Sequence, residues 1–321
     1  MNRNHGILLG LLAGQLALAV ATWSGSGREA GAAAGLTPVF EFAAEDITAI
    51  RIVGESKADG SPSDSVSMVR RDDTWIIASA GDYPAATDKV DVLLEALADM
   101  KAGRAIASRR ANHEALGVGV RSYGRRVTVQ AGEEEHELIL GRGVRHSSHM
   151  RLDDGDEVSV TKDVGVWNVR ADARNYVEIA YVEVDRQQAR SISIRNEHGS
   201  LHFSKTDAGW SLAELPPGAE QDSAAVGGLI NLATRVSLHA PVGAEIDPEY
   251  GLADGAEVII GWTTEDESSS SVRYVVGAQA DDRSYYAKAD DRGHVVTMAK
   301  HAAEQILSKT VADFVKAPAT P

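Results

Sequence analysis

A tryptophan-centred phrase that occurs twice, about one domain length apart, restricts the fold more than any other feature of this chain. The first copy reads "DTWIIAS" around Trp75, and the second reads "AGWSLAE" around Trp210, 135 positions later. At this offset, alternating strand patterns before each tryptophan and a helical apolar stripe after each one fall into register. A chain of 321 residues has room for two such units, each with its own core. We therefore predict an internal duplication.

Each unit is predicted to contain three strands, a helix and then several further strands. The opening strands, Ile47–Ile52 and Ala189–Ile194, alternate between apolar and polar residues. The helices are predicted from two apolar stripes, formed by Val90, Leu93, Leu94, Leu97 and Met100 and by Val226, Leu229, Ile230 and Ala233. The first helix is expected to follow a cap at Thr87 or Asp88. The predicted fold class is α+β and β-rich: two tandem repeats of curled antiparallel sheet with one main helix each, after an N-terminal membrane helix.

The N-terminal segment Gly6–Trp23 is uncharged and predominantly apolar, and Arg3 precedes it without any acid. By the positive-inside tendency, the N-terminus stays in the cytoplasm and the bulk of the chain reaches the periplasm. A retained single-pass anchor in the cell inner membrane is favoured, because Trp23 suits a membrane interface and the Gly/Ala-rich stretch Ser24–Gly35 resembles a tether. "AVA" at Ala19–Ala21 also fits a signal cleavage site, which would leave a secreted or periplasmic protein.

These patterns divide the chain into five parts. They are an anchor or signal segment (1–23), a flexible linker and lead-in (24–46), a first repeat domain (47–186), a second repeat domain (187–316) and a tail (317–321). The formal net charge of −15 disfavours nucleic acid as a partner, since phosphate backbones attract clustered Lys and Arg. The absence of cysteine excludes disulfides, thiolate nucleophiles and Cys-ligated zinc.

The sequence contains one weak candidate for a metal site. It comprises His146, His149, Asp153, Asp154 and Asp156, whose side chains suit a divalent ion if two strands bring them together. A solvated hairpin turn at "DDGDE" is favoured over a metal site, because the spacing lacks the pattern of a calcium loop. No dinucleotide fingerprint, P-loop, nucleophile elbow or HExxH occurs. The prediction therefore names no catalytic, cofactor-binding or metal residue, and no cofactor.

Trp75 and Trp210 allow two interpretations. Each could offer its ring to a ligand such as a sugar, or each could fill the core of its own unit. Core packing is favoured, because both residues lie at the start of an alternating strand and aromatic residues make up only 5% of the chain.

Several soft motifs together carry a family resemblance. "DITAIRI", "DTWIIAS", "YPAATDKVDVLLEALADMKAGR", a "LG" or "GL" step, "LILG" and "MRLDDGDEVSVT" follow the apolar N-terminus. The chain resembles the bacterial domain-of-unknown-function family DUF 4340, in two tandem copies. The resemblance implies a membrane-tethered envelope protein, often encoded beside ABC transporter components of the gliding-motility type, and it carries no catalytic residues.

We therefore predict a non-enzymatic accessory or recognition component of an ABC transport system, anchored in the inner membrane through its N-terminal helix. Its expected partners are ABC transporter subunits or other envelope proteins. A structural cell-envelope interaction protein is the alternative, and an extracytoplasmic hydrolase is a remote one.

Overall fold

The computed structural model describes residues 35–143, 146–264 and 268–316. Strands dominate these ranges, and every pairing between them is antiparallel. They form two large sheets and one short pair, β1 (Thr37–Pro38) with β6 (Lys101–Ala102).

The first large sheet has eight strands. They are β2 (Ile47–Val53), β3 (Ser65–Arg71), β4 (Thr74–Ile77), β5 (Tyr83–Pro84), β7 (Arg125–Ala131), β8 (Glu134–Arg142), β9 (Ser148–Leu152) and β10 (Ser159–Thr161). Their order across the sheet is β10-β9-β8-β7-β2-β3-β4-β5. The alternation that predicted strands also sets the buried face: in β3, for example, Val66 and Met68 are fully buried while their neighbours are not.

The second large sheet has nine strands. They are β11 (Ala180–Glu183), β12 (Ala189–Asn196), β13 (Gly199–Thr206), β14 (Gly209–Leu212), β15 (Arg235–Gly243), β16 (Ala256–Thr263), β17 (Ser269–Asp281), β18 (Ser284–Ala289) and β19 (Val295–Ala299). Their order is β11-β15-β19-β18-β17-β16-β12-β13-β14.

Three α-helices lie within the described residues: α1 (Thr87–Ala98), α2 (Ser223–Ala233) and α3 (Lys300–Leu307). Helix α1 buries the predicted stripe Val90, Leu93, Leu94 and Leu97 against the first sheet. Helix α2 is capped by Asp222, whose carboxylate accepts the N–H groups of Ala224 and Ala225 at 2.9 and 3.0 Å.

Seven strands follow the same order in the two sheets: β10-β9-β8-β7-β2-β3-β4 in the first and β19-β18-β17-β16-β12-β13-β14 in the second. The register agrees as well, since Trp75 lies opposite Arg70 and Trp210 lies opposite Lys205. The N-termini of helices α1 and α2 are also held by equivalent hydrogen bonds. The N–H of the capping residue donates to the last residue of a distant 3₁₀ turn, from Ala86 to Tyr176 and from Asp222 to Phe314, both at 2.8 Å.

The predicted fold class is wrong. It gave one main helix to each of two repeats, whereas two helices, α2 and α3, pack on the second sheet, and the sheets differ in their edge strands. The stretch before Tyr176 forms turns because it contains Gly165 and several valines, which are weaker helix formers than the residues of "KHAAEQIL" in α3.

The predicted membrane helix, residues 6–23, lies outside the described residues. Within the described ranges, no helix is long and apolar enough to cross a membrane.

The two sheets meet through main-chain contacts. Strand β11 follows the first sheet in the chain yet pairs with β15 of the second, and the N–H of Leu238 donates to the carbonyl of Ile179 at 2.8 Å. Gly81 and Gly243 approach so closely that a Cβ on Gly81 would lie 2.7 Å from the Cα of Gly243. Buried residues from both sheets form one connected core. The predicted boundary between residues 186 and 187 leaves β11 outside the second unit, and this boundary stays a prediction.

Candidate functional site

The structure uses the predicted metal candidates separately, in contacts around the β9–β10 hairpin. The His149 ring Nδ1 lies 3.0 Å from the carbonyl of Leu116, Asp153 accepts the N–H of Glu137 at 2.7 Å, and Asp156 pairs with Arg110 at 2.6 Å. The His146 ring instead lies edge-on to Trp167, with centroids 6.5 Å apart. In the part of the chain that the structure describes, no three His, Asp or Glu residues are grouped to hold a metal ion.

The two repeated tryptophans both pack against the core, but to different depths. Trp75 is 3% exposed, whereas Trp210 is only half-buried. The carbonyl of Trp75 accepts the N–H of Ala85 at 2.9 Å, and that of Trp210 accepts the side-chain amide of Gln221 at 2.8 Å. Both residues therefore have structural positions, Trp75 on β4, next to the edge strand of its sheet, and Trp210 on the edge strand β14.

Close backbone packing explains why a leucine–glycine pair recurs, as "LG" at Gly117 and as "GL" at Gly251. Gly117 and Gly251 have positive φ angles of 68° and 62°, a conformation that side chains other than glycine rarely adopt. Each of these pairs packs against a glycine in a strand of the same sheet. A Cβ at Gly141 would collide with the carbonyl of Leu116. A Cβ at Gly277 would likewise collide with the carbonyl of Tyr250. Beside each approach, the end of the sheet leaves a cleft.

The cleft of the first sheet has a volume of about 460 Å³, within the range of small-molecule sites. Its lining, which we call the cationic cleft, comprises Glu55, Gly124, Arg125, Arg142, Gly143, His146, Ser147, Val166, Trp167 and Arg170. Three guanidinium groups thus face a cleft with one carboxylate, on a chain whose formal net charge is −15. Such a local reversal of charge marks a candidate site for an anionic group.

Arg125 and Tyr176 hold one wall of the cationic cleft in place. Arg125 lies on β7, and its Nε and Nη1 donate to the carbonyls of Val169 and Gly124 at 2.8 and 2.7 Å. The Tyr176 hydroxyl donates to the carbonyl of Arg170 at 2.8 Å and accepts its N–H at 3.2 Å. Burial raises the pKa of Tyr176 to about 12, and the hydrogen bond with Arg170 and the nearby charges of Arg125 and Arg170 lower it by less.

The side chains that remain open to a ligand are Arg170, Arg142 and Trp167. Arg170 is exposed, and its guanidinium makes no hydrogen bond or ion pair with another described residue. Arg142 pairs with Glu55 at 2.8 Å, but both side chains are largely exposed, so the pair is weak and exchangeable. Trp167 is 41% exposed, and its ring lies against Gly165, where a Cβ would come within 2.5 Å of the ring.

The equivalent cleft of the second sheet has the opposite charge. It lies beside Gly251 and Gly277, has the same volume of about 460 Å³, and is lined by Glu197, Asp254 and Glu304 but by no arginine or lysine. The similar strand order of the two sheets therefore does not extend to the chemistry of their clefts.

Sequence reasoning missed the cationic cleft. Its arginines come from β7, from the end of β8 and from the loop after β10, so no local motif joins them. The sequence signal available was "VWNVR", which places Trp167 and Arg170 three residues apart.

Comparison with known proteins gives one family. No curated protein and no solved structure matches the chain significantly. The family model described as "Domain of unknown function (DUF4340)" matches residues 75–238, which is just over half of the chain. The match runs from the first sheet into β15 of the second, and it includes all three arginines of the cationic cleft. The chain therefore belongs to the DUF4340 family.

Proposed function

We propose that this chain is a non-catalytic recognition component of the bacterial cell envelope that works with an ABC transport system and binds its ligand in the cationic cleft. The cleft carries the proposal, because it gathers Arg125, Arg142 and Arg170 on an acidic protein. Guanidinium groups stay protonated throughout the physiological range, so they bind and orient anions rather than transfer protons. This chemistry suits recognition, with ATP hydrolysis left to a partner.

The proposed location is the inner membrane, with the N-terminus in the cytoplasm and the bulk of the chain in the periplasm. The apolar segment Gly6–Trp23 and the preceding Arg3 support this orientation. Cleavage after Ala21 would instead give a secreted or periplasmic protein. A reporter fused after Pro321 is expected to be active only outside the cytoplasm, and fractionation of the untagged chain separates the two forms.

The proposal includes two tandem copies of the family unit. The shared order of seven strands, the matched register of Trp75 and Trp210 and the matched contacts of Ala86 and Asp222 support this assignment. The opposite charges of the two clefts then imply that one copy kept or gained anion recognition and the other did not.

Affinity purification of the full-length chain tests the transport role. ABC transporter subunits are expected to co-purify with the wild-type chain. Their recovery should fall for a double variant, Arg142→Gln with Arg170→Gln, if the cleft mediates recognition of a shared ligand. A second double variant, Arg104→Gln with Arg109→Gln, removes the same charge from exposed positions outside the cleft and is expected to behave as wild type.

Two outcomes would contradict this function. Pelleting with cell wall in the absence of transporter subunits would support the structural envelope role instead. Turnover of an envelope substrate by the purified chain would support the hydrolase, and the non-catalytic assignment would then fail.

A further inference from the structure

We propose that the cationic cleft binds a sugar that carries a carboxylate or phosphate group, with the anion at Arg142 and Arg170 and the sugar ring against Trp167. This ligand class rests on the recognition function proposed above. Three features of the cleft carry it: the exposed side chains of Arg142 and Arg170, the exposed ring of Trp167 and the single carboxylate of Glu55.

The anionic group is placed by the arginines. Arg170 has no partner among the described side chains, and Arg142 is held only by its exposed pair with Glu55. Arg125 uses Nε and Nη1 for carbonyls of the cleft wall and contributes a third positive charge to the cleft. A planar guanidinium presents two parallel N–H groups, which match the paired oxygens of a carboxylate or a phosphate.

The ring of the ligand is placed by Trp167. Its side chain is 41% exposed in the cleft wall, and its contacts with Gly165 and with the edge of His146 fix the ring orientation. An exposed indole face offers a flat apolar surface, and the C–H face of a pyranose ring is the complementary surface of a sugar. An inorganic anion has no ring and would make no such contact with Trp167 in this cleft of about 460 Å³.

Glu55 excludes ligands that are only anionic. Its carboxylate lines the same cleft and would repel a polyphosphate or a nucleic-acid backbone, as would the net charge of −15. A carboxylate accepts hydrogen bonds, and sugar hydroxyls donate them. A sugar with an anionic group and several hydroxyl donors satisfies the arginines and Glu55 together.

Isothermal titration calorimetry on the full-length chain tests this ligand class with four probes. Glucuronate and glucose 6-phosphate supply the two anionic groups on a pyranose ring, glucose supplies the ring without charge, and inorganic phosphate supplies charge without the ring. Both anionic sugars, or one of them, are expected to bind at least about tenfold more tightly than glucose and than phosphate. The better of the two identifies which anionic group the cleft prefers.

Three variants of cleft residues and one control variant outside the cleft show whether any binding occurs in the cleft. Arg170→Gln and Trp167→Ala are each expected to weaken binding of the anionic sugar by about tenfold or more. The first removes a contact with the anionic group, and the second removes the contact with the sugar ring. Trp167→Phe keeps an aromatic face and is expected to retain most of the affinity. Arg104→Gln is the charge-matched control and is expected to bind as wild type. Thermal unfolding of each variant separates lost binding from lost folding.

Glucose or phosphate binding as tightly as the anionic sugars would overturn the ligand class, and so would unchanged affinity in Arg170→Gln. If no sugar binds while transporter subunits still co-purify and depend on Arg142 and Arg170, the ligand class fails but the recognition function stands. If the anionic sugars bind in the cleft and no transporter subunit co-purifies, the transport role fails and the site stands.

Discussion

Trp75 and Trp210 occupy matched strand positions, opposite Arg70 and Lys205, yet only Trp75 is buried. The strand pattern indicated core packing for both residues, since the residue that starts an alternating strand commonly faces the core. The depth of burial depends on which side chains of the neighbouring helix cover the ring, and this is a tertiary property that the local pattern does not contain.

This difference predicts unequal losses of stability. Trp75→Ala is expected to lower the free energy of unfolding by about 3–5 kcal/mol, because it removes a buried ring and leaves a cavity. Trp210→Ala is expected to cost about 1–2 kcal/mol, since a half-buried ring has less apolar surface to lose. Urea unfolding followed by circular dichroism measures both. Equal losses, or a red-shifted emission assigned to Trp75, would contradict this account.

At the scale of elements, the sequence predicts the regular strands and helices well and the cap and turns less well. β2 was predicted as Ile47–Ile52 and spans Ile47–Val53. Every apolar residue of the predicted α1 stripe is buried, but the helix ends at Ala98, so Met100 lies beyond it. The cap of α1 was expected at Thr87 or Asp88, but the helix begins after Ala86. The N–H of Ala86 donates to the carbonyl of Tyr176, which lies 90 residues further along the chain. No local sequence pattern indicates this contact.

The cationic cleft illustrates the same limit. Arg125 and Arg142 lie at the same end of the antiparallel β7–β8 pair, because its register places residue 125 opposite residue 140. Arg170 joins them because Tyr176 bonds its backbone and Arg125 bonds the carbonyl of the preceding residue, Val169. Each of these placements depends on tertiary hydrogen bonds, so the residues of the site could be read from the sequence only after the fold was known.

A glycine in helix α2 allows the helical structure to be tested by substitution. Gly228 lies in its interior, and a Cβ added there would meet no atom within 4 Å. Gly228→Ala is therefore expected to raise the free energy of unfolding by about 0.5–1 kcal/mol, because alanine loses less backbone entropy in a helix.

Gly251→Ala is the matched comparison, since Gly251 has a φ of +62° and its Cβ would lie 3.0 Å from Ala278. This second variant is expected to be less stable than wild type. Thermal and urea unfolding of both variants decide the matter, and a destabilised Gly228→Ala or a stabilised Gly251→Ala would contradict the placement of these glycines.

At the scale of the whole molecule, β11 ties the end of the first half to the second sheet. Tyr181 and Val182 are each only 3% exposed, and the Tyr181 hydroxyl donates to the carbonyl of His294 at 2.7 Å and accepts the N–H of Ala289 at 3.0 Å. Burial raises the pKa of Tyr181 to about 12. These contacts cross the predicted boundary between residues 186 and 187.

Two fragments test where the second unit begins. A fragment of residues 178–316 keeps β11, whereas 187–316 removes it and leaves one side of β15 unpaired, while the pairing of β15 with β19 remains. We expect the longer fragment to unfold at a higher urea concentration, by an amount equivalent to about 3–5 kcal/mol, because the shorter one loses a buried aromatic residue and its packing. Equal midpoints would place the boundary at residue 187 and make β11 a minor addition.

The setting of the cationic cleft on an acidic chain has a kinetic consequence. An approaching anion first experiences the field of a protein with a formal charge of −15, which repels it, and it meets the attraction of Arg142 and Arg170 only at short range. Raising the ionic strength from about 0.01 to about 0.15 M shortens the Debye length from about 30 to about 8 Å. Added salt therefore screens the distant repulsion more than the contacts within the cleft. Capture of an anionic ligand is then expected to speed up with moderate salt, the reverse of the usual behaviour of electrostatically steered association.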